Sequence, residues 1–249
     1  MTVVVDLDGV VWRGDRPIPG SAEALDRLRA AGRSIVFLTN NSAPTRAANV
    51  AKLESFGVKA SPDEVRSAAQ AAALLVEPGE RALLCAGEGV REALQDRGAT
   101  VVAEGEADVV VVGWHVEFDF DRLTVAMRAV LGGARLVGTN EDATYPVPDG
   151  VLPGGGALLA AVSYASGARP VVAGKPHEPI VRLLKEQTDD VELVIGDRPT
   201  TDGLLARRLG VPYALVRTGI VAPGEPVEGK APDLDEVDLS AVVDRLIGS

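Results

Sequence analysis

The residues of this chain best suited to chemistry come at its start. Asp6 and Asp8 follow the β-branched run Thr2-Val3-Val4-Val5, and Gly9 comes directly after them. A short run of that composition reads as a buried strand. Side chains two apart on an extended backbone project to one side, so both carboxylates would leave the strand's carboxyl end together. Like charges that close oppose each other unless a cation or a shared proton intervenes, which points to a metal or to acid/base work. Asp-x-Asp-Gly is also ordinary turn composition, so the pair taken alone fits a solvated turn as well.

Other polar clusters repeat the placement. Thr39 and Asn40 follow the apolar run Ser34 to Leu38, Asp197 follows Val191 to Ile195 and a glycine, and Lys175 follows Val171 to Ala173 and a glycine. In an open parallel α/β sheet, ligands bind beyond the carboxyl ends of the strands. Unrelated surface turns would have no reason to share that address.

The elements that must position these residues alternate strand and helix. A helix over Ala22 to Ala31, capped by Ser21 and ended by Gly32, separates the first two strands, and another runs from about Thr45 to Phe56. The Gly- and Pro-rich stretch Val10 to Gly20 reads as a flap or hairpin beside the acids. Ser61-Pro62-Asp63-Glu64 opens a helix predicted to continue through the alanines to Val76. From Pro170 the first rhythm returns, with strands at Val171 to Ala173, Val191 to Ile195 and Tyr213 to Val216, then a surface tail from Val221 to Glu236. The expected fold is α/β: a doubly wound parallel, Rossmann-like core over residues 1–76 and 170–249, with an inserted α/β cap over 77–169.

Composition narrows the class of function. The chain has 249 residues, 46% hydrophobic and only 4% aromatic, which suits helices packed on a parallel sheet. No run approaches the roughly 18 apolar residues of a membrane span, and acids occupy the place where an export signal would carry basic residues, so a cytoplasmic location is expected. The net charge of −11 argues against nucleic acid or anionic membrane as a partner. The lone Cys85, in an apolar run, reads as core packing, and two histidines with one cysteine make a structural zinc site a poor expectation.

Asp6-Leu7-Asp8-Gly9-Val10, Thr39-Asn40-Asn41, Gly174-Lys175-Pro176 and Gly196-Asp197-Arg198 with Asp202 resemble, in order and spacing, the four motifs of the haloacid-dehalogenase-like hydrolase superfamily. The long insertion between the second and third motifs resembles the subclass IIA phosphatases. That resemblance implies an Mg²⁺-dependent phosphatase that hydrolyses a small phosphate monoester, such as phosphoglycolate or glycerol phosphate, through an aspartyl-phosphate. It implies Asp6 as nucleophile and Asp8 as acid and base. Thr39 hydroxyl, Asn40 backbone N–H and Lys175 would hold phosphoryl oxygens. Asp6, Asp197 and the Asp8 carbonyl would ligate the metal, with Asp202 acting through water. Four acids against one lysine leave three net negative charges to receive a phosphate dianion, so a hard divalent cation is required.

Within the cap, Thr139 to Pro146 resembles the loop that reaches the substrate in this family, which makes Asn140, Asp142 and Tyr145 candidate specificity residues; an ordinary turn fits equally. Pro153-Gly154-Gly155-Gly156 lacks the Lys-Ser/Thr ending of a nucleotide loop and reads as a turn into a helix from Ala157. His115 stands where relatives often carry Asp, and His177 reads as a helix-start residue. The expected partner is a small phosphorylated metabolite, and the resemblance admits a homodimer through the cap. Two alternatives stay open: a phosphotransferase or mutase on the same scaffold, and an aspartate-phosphorylated signalling receiver. A receiver lacks the second acid two residues past its nucleophile.

Overall fold

The computed structural model describes residues 1–147, 150–228 and 231–248, so Gly229 and Lys230 of the expected tail lie outside it. The chain forms two compact units, one of Met1–Thr39, Ala47–Arg66 and Leu184–Ser249, the other of Asn40–Arg46 and Ser67–Leu183.

The first unit is built on a six-stranded sheet in the order Leu234–Glu236, Tyr213–Val216, Val191–Gly196, Thr2–Asp6, Ser34–Thr39, Val65–Ser67. The strand Thr2–Asp6 is parallel to both its neighbours, with Val5 opposite Phe37 on one side and Ile195 on the other. A strand flanked on both sides and covered on both faces must be apolar throughout, and all five of its residues are buried. Leu25 and Leu28 of the helix Ser21–Ala30 pack with Val3, Val5, Phe37 and Ile195 in one core. Trp12–Arg13 and Arg16–Pro17 pair as the expected hairpin.

The second unit carries a five-stranded sheet in the order Val171–Val172, Arg135–Gly138, Val109–Val112, Arg81–Cys85, Thr100–Val102. Every pairing in it is parallel. Its core joins Leu83, Cys85, Val110 and Val112 to Leu159 and Val162 of the helix Gly155–Ser166. The fold is thus a doubly wound parallel core with an α/β insertion. Among the described residues no helix is long and apolar enough to cross a membrane.

Local departures from the sequence expectation have physical causes. The helix expected over Ser61 to Val76 is broken into a 3₁₀ turn at Pro62–Glu64, the strand Val65–Ser67 and a helix at Ala68–Ala73. Val65 is fully buried in the core, and joining the sheet overrides the helical preference of its neighbours. A capping box, Ser67 with Gln70, restarts the helix. Ser21 does not cap: Gly20, at φ 81°, holds that position, and the Ser21 hydroxyl donates to the Val10 carbonyl at 3.0 Å. Val171–Val172 lies on the edge of the five-stranded sheet rather than in the six-stranded one. The expected loop after Asn140 contains an antiparallel ribbon, Thr144–Val147 with Gly150–Pro153, whose prolines masked its strand character in the sequence.

Candidate active site

The six-stranded sheet reverses its winding between Thr2–Asp6 and Val191–Gly196: the chain leaves one strand toward Ser34–Thr39 and the other toward Tyr213–Val216. Helices diverge at such a point and leave a crevice beyond the strand ends. Register puts Val5 opposite Ile195 and Asp6 opposite Leu38, so Asp6, Asp197 and Thr39 all emerge there.

Carboxylate oxygens of Asp6, Asp197 and Asp202 lie within 4.8 Å of one another, and all three residues are buried. Each is oriented by a backbone N–H. Asp6 Oδ1 accepts from Leu7 at 2.8 Å, Asp197 Oδ2 from Ile220 at 2.7 Å and Asp202 Oδ2 from Arg198 at 3.1 Å. Asp202 belongs to a π-helical turn, Pro199–Gly203, just before the helix Leu204–Leu209. Close approach is possible because Gly9, Gly196 and Gly219 present no side chain. A Cβ on Gly9 or Gly219 would run into the Asp197 carboxylate, and one on Gly196 into Asp202.

The concentrated negative charge is felt by Tyr213. Burial first, then the charges of Asp202, Asp197, Asp6 and Asp235, hold its hydroxyl far above the usual phenol range, so it stays a neutral donor, with the Gly196 carbonyl oxygen at 3.3 Å. Oxygen-only donors, buried together, match what Mg²⁺ requires.

Asp8 is set differently. It is half-buried, its Oδ1 accepts the Trp12 indole N–H at 3.0 Å, and Thr39 Oγ1 lies 3.4 Å from its Oδ2.

The remaining expected site residues form a network within the second unit. Asn40 Oδ1 accepts the Lys175 N–H at 2.7 Å, while Asn40 Nδ2 donates to Asp142 Oδ2 at 3.0 Å and to the Lys175 carbonyl at 3.3 Å. Asn140, buried, donates to the Asn40 carbonyl at 2.8 Å and accepts the Asp142 N–H at 3.1 Å. Lys175 is buried as well. The Tyr145 ring lies 5.1 Å from that of Trp114, tilted by 34°, and its hydroxyl is 3.4 Å from Asn41 Nδ2.

The triple glycine serves packing. The helix starts at Gly155, two residues before the expected Ala157, and a Cβ there would sit 2.9 Å from Asn140 Oδ1. His177 Nε2 meets Glu141 Oε1 at 2.9 Å, and His115 Nδ1 faces the Gly113 carbonyl at 3.0 Å, where only a ring N–H can serve. Burial pushes the Cys85 thiol up to about 12, against a smaller opposing effect of Arg122, as befits a core side chain.

Two parts of the site escaped sequence reasoning. One is Trp12, the indole donor in the loop after Asp8. The other is Thr218 to Ile220, which braces Asp197 through the Ile220 N–H while the Thr218 hydroxyl donates to the Gly9 carbonyl at 2.6 Å. Its signal was present: a glycine just beyond the strand Tyr213–Val216, on the functional edge of the sheet.

Residues 3–100 match the family described as haloacid dehalogenase-like hydrolase, and residues 172–242 one described as HAD-hydrolase-like. An acid sugar phosphatase of Staphylococcus epidermidis is 32% identical over 98% of this chain and 96% of its own length. A p-nitrophenyl phosphatase from Archaeoglobus fulgidus superimposes with a TM-score of 0.88 at 30% identity, covering 98% of each chain. A glycerol phosphate phosphatase from Mycobacterium tuberculosis, solved in complex with magnesium, gives 0.87 at 31% identity over 97% of this chain and 75% of that one. With these likenesses running almost end to end, the chain belongs to the haloacid-dehalogenase-like hydrolases, among their subclass IIA phosphatases.

Proposed function

We propose that this enzyme, a phosphoric monoester hydrolase, cleaves a small phosphorylated metabolite with Mg²⁺ through a phosphorylated Asp6. The observation that carries the reading is the trio Asp6, Asp197 and Asp202, gathered within 4.8 Å at the reversal of the sheet. Such an arrangement is electrostatically unfavourable unless a cation joins it.

Asp6 and Asp197, with the Asp8 backbone carbonyl and with Asp202 through a water, would hold Mg²⁺, which when bound offsets the charge on the acids and on the phosphoryl oxygens. An Asp6 oxygen attacks phosphorus as the bond to the leaving oxygen breaks, and Asp8 gives that oxygen its proton. Asp8 then takes a proton from the attacking water, which releases phosphate and restores Asp6. Thr39 hydroxyl, Asn40 backbone N–H and Lys175 hold phosphoryl oxygens. Asp142 and Tyr145, with Asn140, select the leaving group. The magnesium-bound glycerol phosphate phosphatase among the similar structures supports glycerol phosphate or a comparable three-carbon or two-carbon ester as substrate.

The test is phosphate release from glycerol 3-phosphate, phosphoglycolate, sugar phosphates and p-nitrophenyl phosphate, with Mg²⁺ and with chelator, beside Asp6→Asn. Turnover of at least one ester, abolished by chelator and by the variant, is expected. Full activity in metal-stripped protein would overturn the reading.

A further inference from the structure

Asp8 needs more than proximity to act as acid and then as base: one of its oxygens must carry the proton, and that oxygen must face the leaving group. We propose that Trp12 is the positioning residue that fixes the orientation of the Asp8 carboxyl group for its acid and base role. The inference rests on the phosphatase reading and concerns a residue outside the motif set that defines it.

The geometry is specific. Trp12 Nε1 donates to Asp8 Oδ1 at 3.0 Å. An indole N–H can only donate, so the oxygen it meets must offer a lone pair and cannot present a proton along that line. The other oxygen, Oδ2, has Thr39 Oγ1 at 3.4 Å, so the carboxyl group is held at both ends. Rotation about the Asp8 side chain would break the indole bond, so the carboxyl plane is held as well.

Trp12 is itself held from every side. The Gly9 N–H donates to its carbonyl at 2.7 Å, and its own N–H reaches the Leu7 carbonyl at 3.2 Å. The loop from Leu7 therefore closes on itself and brings residue 12 back beside residue 8, where the two form an isolated bridge. Trp12 is only 2% exposed, and its ring stands 6.0 Å from that of Phe56. On its face the Lys52 ammonium lies 4.5 Å from the ring centroid, and the Gly14 carbonyl holds that ammonium at 2.9 Å. A cation over the ring draws electron density from the indole and strengthens its N–H as a donor.

The readout is the dependence on leaving group, which a merely structural role would not move. A nitrophenolate leaves without a proton, whereas an alkoxide needs one, so misplacing the acid penalises alkyl esters selectively. General acid catalysis contributes on the order of a hundredfold or more. Trp12→Phe, which keeps the ring and loses the N–H, is therefore expected to lower kcat/KM for glycerol 3-phosphate by about tenfold or more. For p-nitrophenyl phosphate the loss should stay within about threefold. Lys52→Met should show the same bias more weakly.

Equal losses on both esters, or no loss on either, would overturn the proposal. Failure of the wild-type protein to hydrolyse any ester of the panel above would overturn the phosphatase reading and this proposal with it. Should Trp12→Phe not fold, indole ¹⁵N–¹H spectra of Asp8→Ala decide: the Trp12 resonance should shift and lose protection from exchange while that of Trp114 stays put. An unmoved Trp12 resonance would sink the idea.

Discussion

The carboxamide of Asn40 holds both backbone polar groups of Lys175, accepting its N–H at 2.7 Å and donating to its carbonyl at 3.3 Å. A side chain here does what a neighbouring strand would do. It fixes the backbone of a buried lysine on which the phosphoryl charge is proposed to depend. Gly174 makes the approach possible, since a Cβ there would stand 2.5 Å from Asn40 Oδ1. With its two hydrogen bonds to Lys175 lost at about 1 kcal/mol each, Asn40→Ala should lower kcat/KM by roughly thirtyfold. The variant keeps its backbone N–H, so the loss should vanish in a Lys175→Ala background if the amide acts through the lysine. Steady-state kinetics on the four proteins of that cycle measure the coupling.

Glycines at similar φ should respond differently to the same substitution. Gly9, at φ +83°, faces Asp197, whereas at Gly32, at φ +76°, no described residue lies within 4 Å of the place a methyl group would take. Gly32→Ala should lose about 1–2 kcal/mol of stability from left-handed strain and keep its activity. Gly9→Ala should carry the same strain and also displace Asp197, weakening Mg²⁺ by roughly 10–100-fold. Denaturant midpoints and Mg²⁺ titrations separate these effects.

Metal addition should raise thermal stability as well as activity. A ligand bound only by the folded state adds about 2.7 kcal/mol at a hundred times its dissociation constant. Scans with and without Mg²⁺ should show the gain in wild-type protein and a much smaller one in Asp197→Ala. A gain of equal size in both would place the ion elsewhere.

Acid sensitivity should trace partly to the edge strand Leu234–Glu236. The hydrogen bond and charge of Arg217, whose nitrogens lie 2.7 and 2.6 Å from its two oxygens, outweigh burial and hold the Asp235 carboxyl below its ordinary range. A depressed folded-state value means stability is present above the unfolded value of about 4 and is lost as pH falls through the folded one. Asp235→Asn should therefore flatten the stability profile below about pH 4 and leave activity near neutrality unchanged. The pair is partly exposed, so the effect should shrink in high salt. Urea unfolding across that range is the measurement.

Much of the site was legible in the sequence because strand-end chemistry is local. An apolar run that stops at Asp6, Thr39 or Asp197 fixes both the strand and the edge it faces, since backbone pairing leaves one order of alternation for strand and helix. The four-motif order resembled the superfamily to which the chain belongs.

What the sequence could not carry were relationships set by packing between distant or folded-back segments. Val65–Ser67 became a strand because the sheet offered it a partner, against the helical bias of the alanines that follow. Ile220 came to orient Asp197 across 23 residues of chain, and Asn40 to grip Lys175 across 135. Trp12 met Asp8 only because the loop between them closes on its own hydrogen bonds. Periodicity along a chain encodes which face of an element is buried; which side chain then completes another's hydrogen bond depends on where three-dimensional packing brings them, and only the fold decides that.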